Sequence, residues 1–188
     1  MNAIDKDEIA RLTEEYGGQW GVNHTRRLLH LISMIGAGQH YDPDIIWIAA
    51  YLHDWGGYSK WMQAGVDHAL RSRQVAEAFW SERAYPLELL LPILECIESH
   101  HGSDPNRRIE AILLSDADAL DFLGVVGILR DFSKKPGDLR TAYETVQNRM
   151  VKLSQSLCLE ASKVLAARRI KRMQELLAYF EEETFGYF

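Results

Sequence analysis

Apolar positions recur at intervals of three and four residues along most of this chain, which is the period of an α-helix packed on one side. Between residues 22 and 35 they fall at Leu28, Leu31, Ile32 and Ile35. We find no convincing run of the apolar-polar alternation that is typical of a half-buried strand. The pattern therefore predicts an all-α protein.

Capping and stop signals divide this pattern into separate helices. Asp5 followed by Glu8 is a capping-box pattern, and Gly17-Gly18 is a stop signal. We expect helices at about 5–17, 22–35, 43–54, 66–83, 87–100, 107–132, 138–155 and 158–182.

The helix expected at 43–54 ends in an unusual way. Asp42 is a natural N-cap for it, and Gly56 is expected to supply a left-handed stop. Just before that stop, His53 and Asp54 stand side by side at the end of an apolar run. Neutral imidazole and ionised carboxylate both bind metals, and burying them together costs desolvation energy unless a cation takes up their lone pairs. The segment therefore indicates a divalent metal.

Composition and charge narrow the class of protein. With 188 residues, of which 47% are apolar, we expect one domain that buries about 70% of its unfolded surface. A net charge of −6 disfavours binding to a nucleic-acid polymer. The spacing of Cys96 and Cys158 fits neither a zinc-thiolate site nor a disulfide framework, which indicates a protein of the reducing cytosol. The N-terminus is unlike a signal peptide, and no apolar run approaches the roughly 20 residues of a membrane span. We expect a soluble, cytoplasmic protein.

Further polar residues lie at predicted helix ends or inside apolar patterns, where a core does not favour them. Helix ends that are distant in sequence can meet at one point of a helical bundle, as in other helical metal sites. The residues concerned are His24, His68, His100, His101, Asp116 and Asp118.

Asp116 and Asp118 need to be distinguished. Residues two apart on one helix point to nearly opposite sides, so only one of the pair is expected to reach a shared metal. Periodicity alone does not decide which one. In an alternative interpretation, Ser115 and Asp118 form a capping box for a helix that begins there.

The order His24, His53-Asp54, Asp118 resembles the H…HD…D signature of the HD-domain metal-dependent phosphohydrolases, a helical superfamily. The sequence around these residues is similar to a bacterial branch of small nucleoside-triphosphate pyrophosphohydrolases, and the likeness runs from about Trp20 to Glu183. The resemblance implies a single HD-type domain over 1–188. Its core is expected at about 20–132, with the C-terminal helices at about 138–182 packed on it.

The resemblance implies a ligand set and a reaction. His24, His53, Asp54 and Asp118 would hold a divalent metal, with Mn²⁺ favoured over Fe²⁺, Co²⁺, Ni²⁺ or Mg²⁺. The reaction would convert (deoxy)nucleoside triphosphates to monophosphate and pyrophosphate by attack of metal-bound hydroxide. The branch commonly has a basic residue where this chain has Ala119, so a substrate contact from that position is absent.

Five further residues are candidates for catalysis. His68, His100 and His101 are expected to act as general acid or base, because the pKa of imidazole lies near operating pH. Lys60 and Arg71 follow the His-Asp turn and His68, and they are expected to bind substrate phosphates. In an alternative interpretation, the three histidines complete the fuller pattern H…HD…H…HH…D, in which some HD proteins hold a second metal.

Two alternative functions stay open at this stage. One is a phosphomonoesterase or 5′-nucleotidase acting on small phosphate esters, and the other is a non-catalytic, metal-dependent nucleotide sensor. In each case the expected partner is a small phosphorylated molecule, favoured to be a nucleotide, and not a membrane. Trp55 and Trp61 are the tryptophans best placed to touch a base. The mixed charge of the C-terminal helices is compatible with a homodimer.

Overall fold

The computed structural model of the chain describes residues 2–188, and no strand occurs among them. The prediction of an all-α protein is therefore confirmed. No helix in this described range is both long and apolar enough to cross a membrane. The helices are α1 (Lys6–Ile35), α2 (Pro43–Leu52), α3 (His68–Glu82), α4 (Leu87–Glu98), α5 (Ile109–Phe122), α6 (Val125–Lys134), α7 (Leu139–Ser156) and α8 (Glu160–Thr184), with a 3₁₀ turn (Trp55–Gly57) after α2.

The helices form two compact units, of which the first ends at Ser115 and the second runs from Asp116 to Phe188. The boundary falls inside α5, so this helix contributes residues to both units. The expected extent of one HD-type domain over the whole chain stays a prediction.

In the first unit, α2 is the most apolar helix and packs against both α1 and α4. The helix α3 packs against α4 and against the 3₁₀ turn that follows α2. The C-terminal end of α2 is therefore surrounded by other elements of this unit. The buried residues of α2 are Ile45, Ile46, Ile48, Ala49, Ala50, Tyr51 and Leu52.

The helix α1 begins and bends where the sequence indicates. The carboxylate of Asp5 accepts a hydrogen bond from the backbone N–H of Glu8 at 2.9 Å, which confirms the cap. At Gly18 the backbone leaves the helical region, with φ 61° and ψ −166°, a conformation that glycine adopts at low cost. The expected break is confirmed, but the helix resumes at once instead of at Val22.

The expectation that Gly56 ends α2 in a left-handed conformation is wrong, because Gly56 does not have a positive φ. A Cβ atom at this position would lie 2.3 Å from the backbone N of Ser72 and 2.7 Å from the backbone O of His68. The N–H of Gly56 also donates a hydrogen bond to Ser72 Oγ at 2.8 Å. Glycine is required here because the first turn of α3 packs directly on it.

The single helix expected at 107–132 is also wrong. Extended backbone at Gly124, with φ 173° and ψ 179°, separates α5 from α6. A Cβ atom at Gly127 would lie 2.1 Å from the carbonyl O of Phe122, so glycine at this position permits the close approach of α6 to the end of α5. In this second unit, α6, α7 and α8 pack on one another.

Candidate metal centre

The last turn of α2 positions the His53-Asp54 pair. The residue His53 keeps helical angles of φ −59° and ψ −30°, and its N–H donates to Ala49 O at 2.9 Å. At Asp54 the chain leaves the helix, with φ −102° and ψ 1°. Only 1% of the His53 side chain is exposed, against 25% for Asp54. The pair therefore presents one enclosed imidazole and one accessible carboxylate.

The imidazole of His53 is oriented by the backbone of its own helix. Its Nδ1 lies 2.8 Å from Ala50 O, and since a carbonyl oxygen only accepts, Nδ1 is the donor. The other nitrogen, Nε2, is buried and has no hydrogen-bond partner among residues 2–188. An unsatisfied buried polar atom costs about 1–3 kcal/mol, and a metal bound through this lone pair would remove that cost. The arrangement fits a metal ligand whose second nitrogen is fixed by a carbonyl oxygen.

The imidazole of His100 has the same orientation at the end of α4. Its Nδ1 lies 2.6 Å from Ile97 O, and the ring lies 5.0 Å from that of His53. The Nε2 atom of His100 is 3.2 Å from Nε2 of His68. Two nitrogens at this distance either share one proton or direct their lone pairs at a cation.

The carboxylate of Asp54 is the point at which three imidazoles converge. Its Oδ2 lies 3.7 Å from Nε2 of His24 and 3.5 Å from Nε2 of His53, and its Oδ1 lies 3.7 Å from Nε2 of His68. Two ligand atoms that each lie about 2.1 Å from a common ion, at roughly tetrahedral or octahedral angles, are separated by about 3.0–3.5 Å. The spacing around Asp54 is close to this value and longer than a good hydrogen bond. These residues therefore fit a divalent metal.

Charge stabilises the ionised form of Asp54. Burial by itself would raise the pKa of this carboxyl, but attraction to His53, His24, His100 and His68 outweighs burial and holds the pKa below its usual range. The site thus keeps the carboxylate ionised, as a metal ligand must be.

The three histidines predicted as catalytic residues lie together at this same centre. One nitrogen from each of His68, His100 and His101 lies within 4.8 Å of the other two, and His53, Asp54 and His100 form another such group. The residue His68 occupies the first turn of α3, while His101 is exposed. This geometry suits acid–base chemistry and metal binding alike.

The turn that carries His100 and His101 is held by Arg107, which the sequence analysis did not identify. The guanidinium of Arg107 donates to the carbonyl oxygens of Ser99 at 2.6 Å, Gly102 at 2.8 Å and Asp104 at 2.8 Å. Because the five N–H donors of arginine have a fixed planar arrangement, these contacts define the path of the turn. No periodicity or spacing in the sequence indicates this role.

The structure distinguishes the two aspartates of α5. Both oxygens of Asp116 accept hydrogen bonds, from the N–H of Cys158 at 3.0 Å and of Leu159 at 2.9 Å, so this residue holds the two residues that precede α8. The alternative interpretation of a capping box at Ser115 is wrong, because α5 runs through that position without a break. The Asp118 side chain is buried, and its role as the motif carboxylate stays a prediction.

The two predicted phosphate-binding cations have protein partners. Nζ of Lys60 donates to the hydroxyl of Tyr16 at 2.6 Å and lies 4.0 Å from the centre of that ring. Nε of Arg71 donates to the carbonyl oxygen of Trp61 at 2.7 Å. Both contacts anchor the loop that follows the 3₁₀ turn, and the phosphate-binding role of Lys60 and Arg71 stays a prediction.

The expectation that Trp55 touches a base is wrong. Its side chain is 0% exposed and its Nε1 donates to Thr13 Oγ1 at 2.9 Å, so it belongs to the core. The ring of Trp61 stacks on it at 4.6 Å and remains partly exposed. The sequence analysis also missed Trp20, which is 38% exposed and stacks on the imidazole of His24 at 6.0 Å.

A third residue that the sequence analysis missed is Tyr58, four positions after Asp54. Its ring lies against α1, where Cβ atoms at Gly17 and Gly21 would fall 2.4 Å from its Cζ and 2.5 Å from its hydroxyl oxygen. Burial, followed by the negative charge of Asp54, raises the pKa of this phenol, so it stays protonated at neutral pH. The signal in the sequence was the spacing of four between the two glycines.

Residues 21–123 match the HD domain family. The match spans more than half of the 188 residues, and the chain belongs to the HD domain family. The resemblance carried by His24, His53-Asp54 and Asp118 is therefore confirmed at the level of the family. The family and the His/Asp groups together support a metal-dependent phosphohydrolase.

Several proteins resemble this chain. YpgQ of Bacillus subtilis, in a crystal structure with ADP, is 22% identical with a TM-score of 0.71, over 95% of this chain and 97% of that one. A predicted HD superfamily hydrolase from an uncultured Thermotogales bacterium is 23% identical with a TM-score of 0.67, over 94% of this chain and 91% of that one. These two likenesses show the HD fold.

A likeness to a curated protein covers a smaller share of that protein. Ribonuclease Y of Acidothermus cellulolyticus is 27% identical over 138 residues, which are 73% of this chain and 24% of that protein. The chain thus spans about a quarter of the length of the curated relative that it matches.

Proposed function

We propose that this protein is a phosphohydrolase that converts (deoxy)nucleoside triphosphates to the monophosphate and pyrophosphate. The observation that carries the proposal is the convergence of His24, His53 and His68 on the carboxylate of Asp54, at 3.5–3.7 Å. Membership of the HD domain family supports the same class of reaction.

In this proposal His24, His53, Asp54 and Asp118 hold one divalent ion, with Mn²⁺ favoured. Asp118 is included because of its place in the H…HD…D order. When bound, such an ion supplies Lewis acidity toward a phosphoryl oxygen and lowers the pKa of water. The carbonyl of Ala50 keeps Nδ1 of His53 protonated and thereby directs the Nε2 lone pair to the site.

The proton needed by the leaving group would come from the pair formed by His68 and His100. Their Nε2 atoms lie 3.2 Å apart, so one proton can be held between them. The side chain of His68 is 37% exposed, whereas His100 is buried. The more exposed His68 is thus the partner that can reach a substrate oxygen, and the buried His100 orients it. The exposed His101 is the alternative donor.

Substrate phosphates require positive charge beyond the metal, because the whole chain carries a net charge of −6. Lys60 is the more available of the two proposed cations, since its contact with Tyr16 is at the surface. Arg71 is partly buried and bonded to Trp61 O, so we propose that it acts mainly by holding the loop near the phosphates.

Two relatives bear on the choice of substrate. The ADP in the crystal of YpgQ supports a nucleotide, although that protein shares only the fold with this chain. The likeness to Ribonuclease Y favours a second candidate, cleavage of a phosphodiester in RNA. The net charge of −6 argues against a polymer as substrate. Neither Cys96 nor Cys158 is in a disulfide within the described residues, which supports the cytosolic location that we propose.

A substrate panel tests the proposal. Purified protein is incubated with ribo- and deoxyribonucleoside tri- and monophosphates and with a short RNA, in Mn²⁺, Co²⁺ or Mg²⁺, and phosphate, pyrophosphate and RNA fragments are measured separately. Pyrophosphate release from triphosphates is the expected result. Phosphate release from monophosphates alone indicates a phosphomonoesterase, RNA fragments alone indicate a phosphodiesterase, and nucleotide-dependent thermal stabilisation without turnover indicates a sensor.

A pair of histidine variants tests the role given to His68. Replacing it with alanine should lower kcat by about 100- to 10,000-fold, the usual contribution of a general acid, while metal content is retained. His30→Ala is the matched control, because His30 is exposed on α1 and has no role in the proposal. Equal activity in the two variants contradicts the assignment.

A further inference from the structure

The phenol of Tyr58 occupies a position that α1 is shaped to receive. Any side chain at Gly21 would begin 2.5 Å from the hydroxyl oxygen, and any at Gly17 would begin 2.4 Å from the ring carbon that bears it. Both glycines therefore make room for the hydroxyl end of the ring. One turn further along α1 comes His24, so the notch formed by Gly17 and Gly21 borders the metal centre.

The backbone that carries Tyr58 is also fixed. Its N–H donates to Trp55 O at 3.1 Å, and its carbonyl oxygen accepts from the N–H of Trp61 at 2.9 Å and of Met62 at 2.8 Å. The ring can therefore leave its notch only by rotation about its own side-chain bonds.

Across residues 2–188, no protein group is hydrogen-bonded to the Tyr58 hydroxyl. The hydroxyl of Tyr16, by contrast, accepts from Lys60, and that of Tyr85 accepts from the N–H of Asp5. The Tyr58 hydroxyl is not among the buried side-chain atoms that lack a partner, so solvent can reach it. It is therefore available to donate to an acceptor oxygen of a ligand.

Tyr58 follows Asp54 by four residues, directly after the 3₁₀ turn (Trp55–Gly57). Burial and then the negative charge of the Asp54 carboxylate raise the pKa of the phenol. Around that carboxylate the other groups are imidazoles with nitrogens directed at it. The phenol differs from them because it is neutral and a donor at neutral pH. It can thus donate to an anionic oxygen without competing for the metal.

We propose that Tyr58 is a substrate-contacting residue whose hydroxyl donates a hydrogen bond to a phosphate oxygen of the substrate, and that Gly17 and Gly21 set its position. The inference rests on the proposed function, because it requires a phosphate group at the centre. It adds a neutral donor, placed by α1, to the charged groups already described.

The test measures binding of inorganic phosphate as well as turnover. With Mn²⁺ present, Tyr58→Phe should weaken phosphate binding and lower kcat/KM about 10- to 100-fold, as expected for one hydrogen bond to a charged group. Metal content and Tm should equal those of the wild type. Tyr41→Phe is the matched control, because it removes a hydroxyl near the start of α2. The other end of this helix, which carries His53 and Asp54, is about 15 Å away.

A double-mutant cycle separates the hydroxyl from the rest of the ring. Gly21→Ala should cause a loss similar to that of Tyr58→Phe, since its Cβ would displace the hydroxyl. In the Tyr58→Phe background the same change should have a much smaller further effect, because the hydroxyl oxygen is gone and only Cζ, at 3.1 Å, remains close. Independent sites would instead show additive effects.

The outcomes are distinct. If the wild type turns over its substrate and Tyr58→Phe does so equally well, this inference is overturned but the proposed function is not. Absence of wild-type turnover overturns the proposed function, and phosphate binding then decides the role of Tyr58 by itself. Equal phosphate affinity in the wild type and Tyr58→Phe, additive effects in the cycle, or no phosphate binding at all each overturn the inference.

Discussion

Replacing Gly56 with alanine tests how the fold brings His68 to Asp54. The added Cβ would lie 2.3 Å from Ser72 N, 2.6 Å from Arg71 C and 2.7 Å from His68 O. All three are backbone atoms of α3, so no side chain can rotate to relieve the contact and the helix itself must move. Overpacking of this kind costs about 1–3 kcal/mol, which lowers the Tm of a chain of this length by about 2–12 °C.

The functional effect should exceed the loss of stability. A shift of α3 moves Nε2 of His68 from its position 3.7 Å from the carboxylate of Asp54, and a displacement of about 1 Å can cost about 100-fold in rate. The assay compares Tm and turnover of Gly56→Ala with those of Gly57→Ala, whose Cβ would meet no atom of the described residues 2–188 within 4 Å. Equal values for the two variants would refute the idea that Gly56 sets the approach of α3.

Three further predictions follow from particular contacts. Burial raises the pKa of the Cys96 thiol to about 12, so iodoacetamide at pH 8 should label Cys158 and leave Cys96 unmodified in the folded protein, as mass spectrometry can show. Asp116→Ala removes the carboxylate that accepts from the N–H groups of Cys158 and Leu159 and should lower the free energy of unfolding in urea by about 1–3 kcal/mol without reducing metal content. The hydrogen bond from Arg83 lowers the pKa of Glu8. This pair therefore stabilises the folded state at a pH above the pKa that the carboxyl has in the unfolded chain, and the contribution is lost as the pH falls through the lowered pKa. The free energy of unfolding of Glu8→Gln should accordingly fall less in acid than that of the wild type.

The sequence was informative wherever a local pattern has one physical meaning. A period of three to four apolar residues is satisfied only by helices, and Gly18 breaks α1 because few other residues adopt its φ of 61°. The adjacent His53 and Asp54 indicated a metal because their burial would otherwise be costly. None of these inferences requires knowing which segments of the chain contact one another.

Tertiary contacts explain what the sequence could not provide. Gly56 was interpreted as a helix stop because that is the usual local role of glycine, whereas its actual role depends on α3 packing against it. Periodicity does not decide which aspartate of α5 faces the site, and only the contacts with Cys158 and Leu159 show that Asp116 holds the chain before α8. Arg107 holds a turn through three carbonyl oxygens, a contact without any sequence pattern.

The central proposal is that His24, His53, Asp54 and Asp118 hold a divalent metal that the hydrolysis requires. The most direct test is the metal content of the wild type and of Asp54→Asn, loaded with Mn²⁺, dialysed together and measured by elemental analysis, with circular dichroism to confirm equal helix content. The wild type should retain bound Mn²⁺ and hydrolyse its substrate, whereas Asp54→Asn should lose both. An Asp54→Asn protein that retains as much Mn²⁺ as the wild type, with unchanged turnover, would contradict the claim.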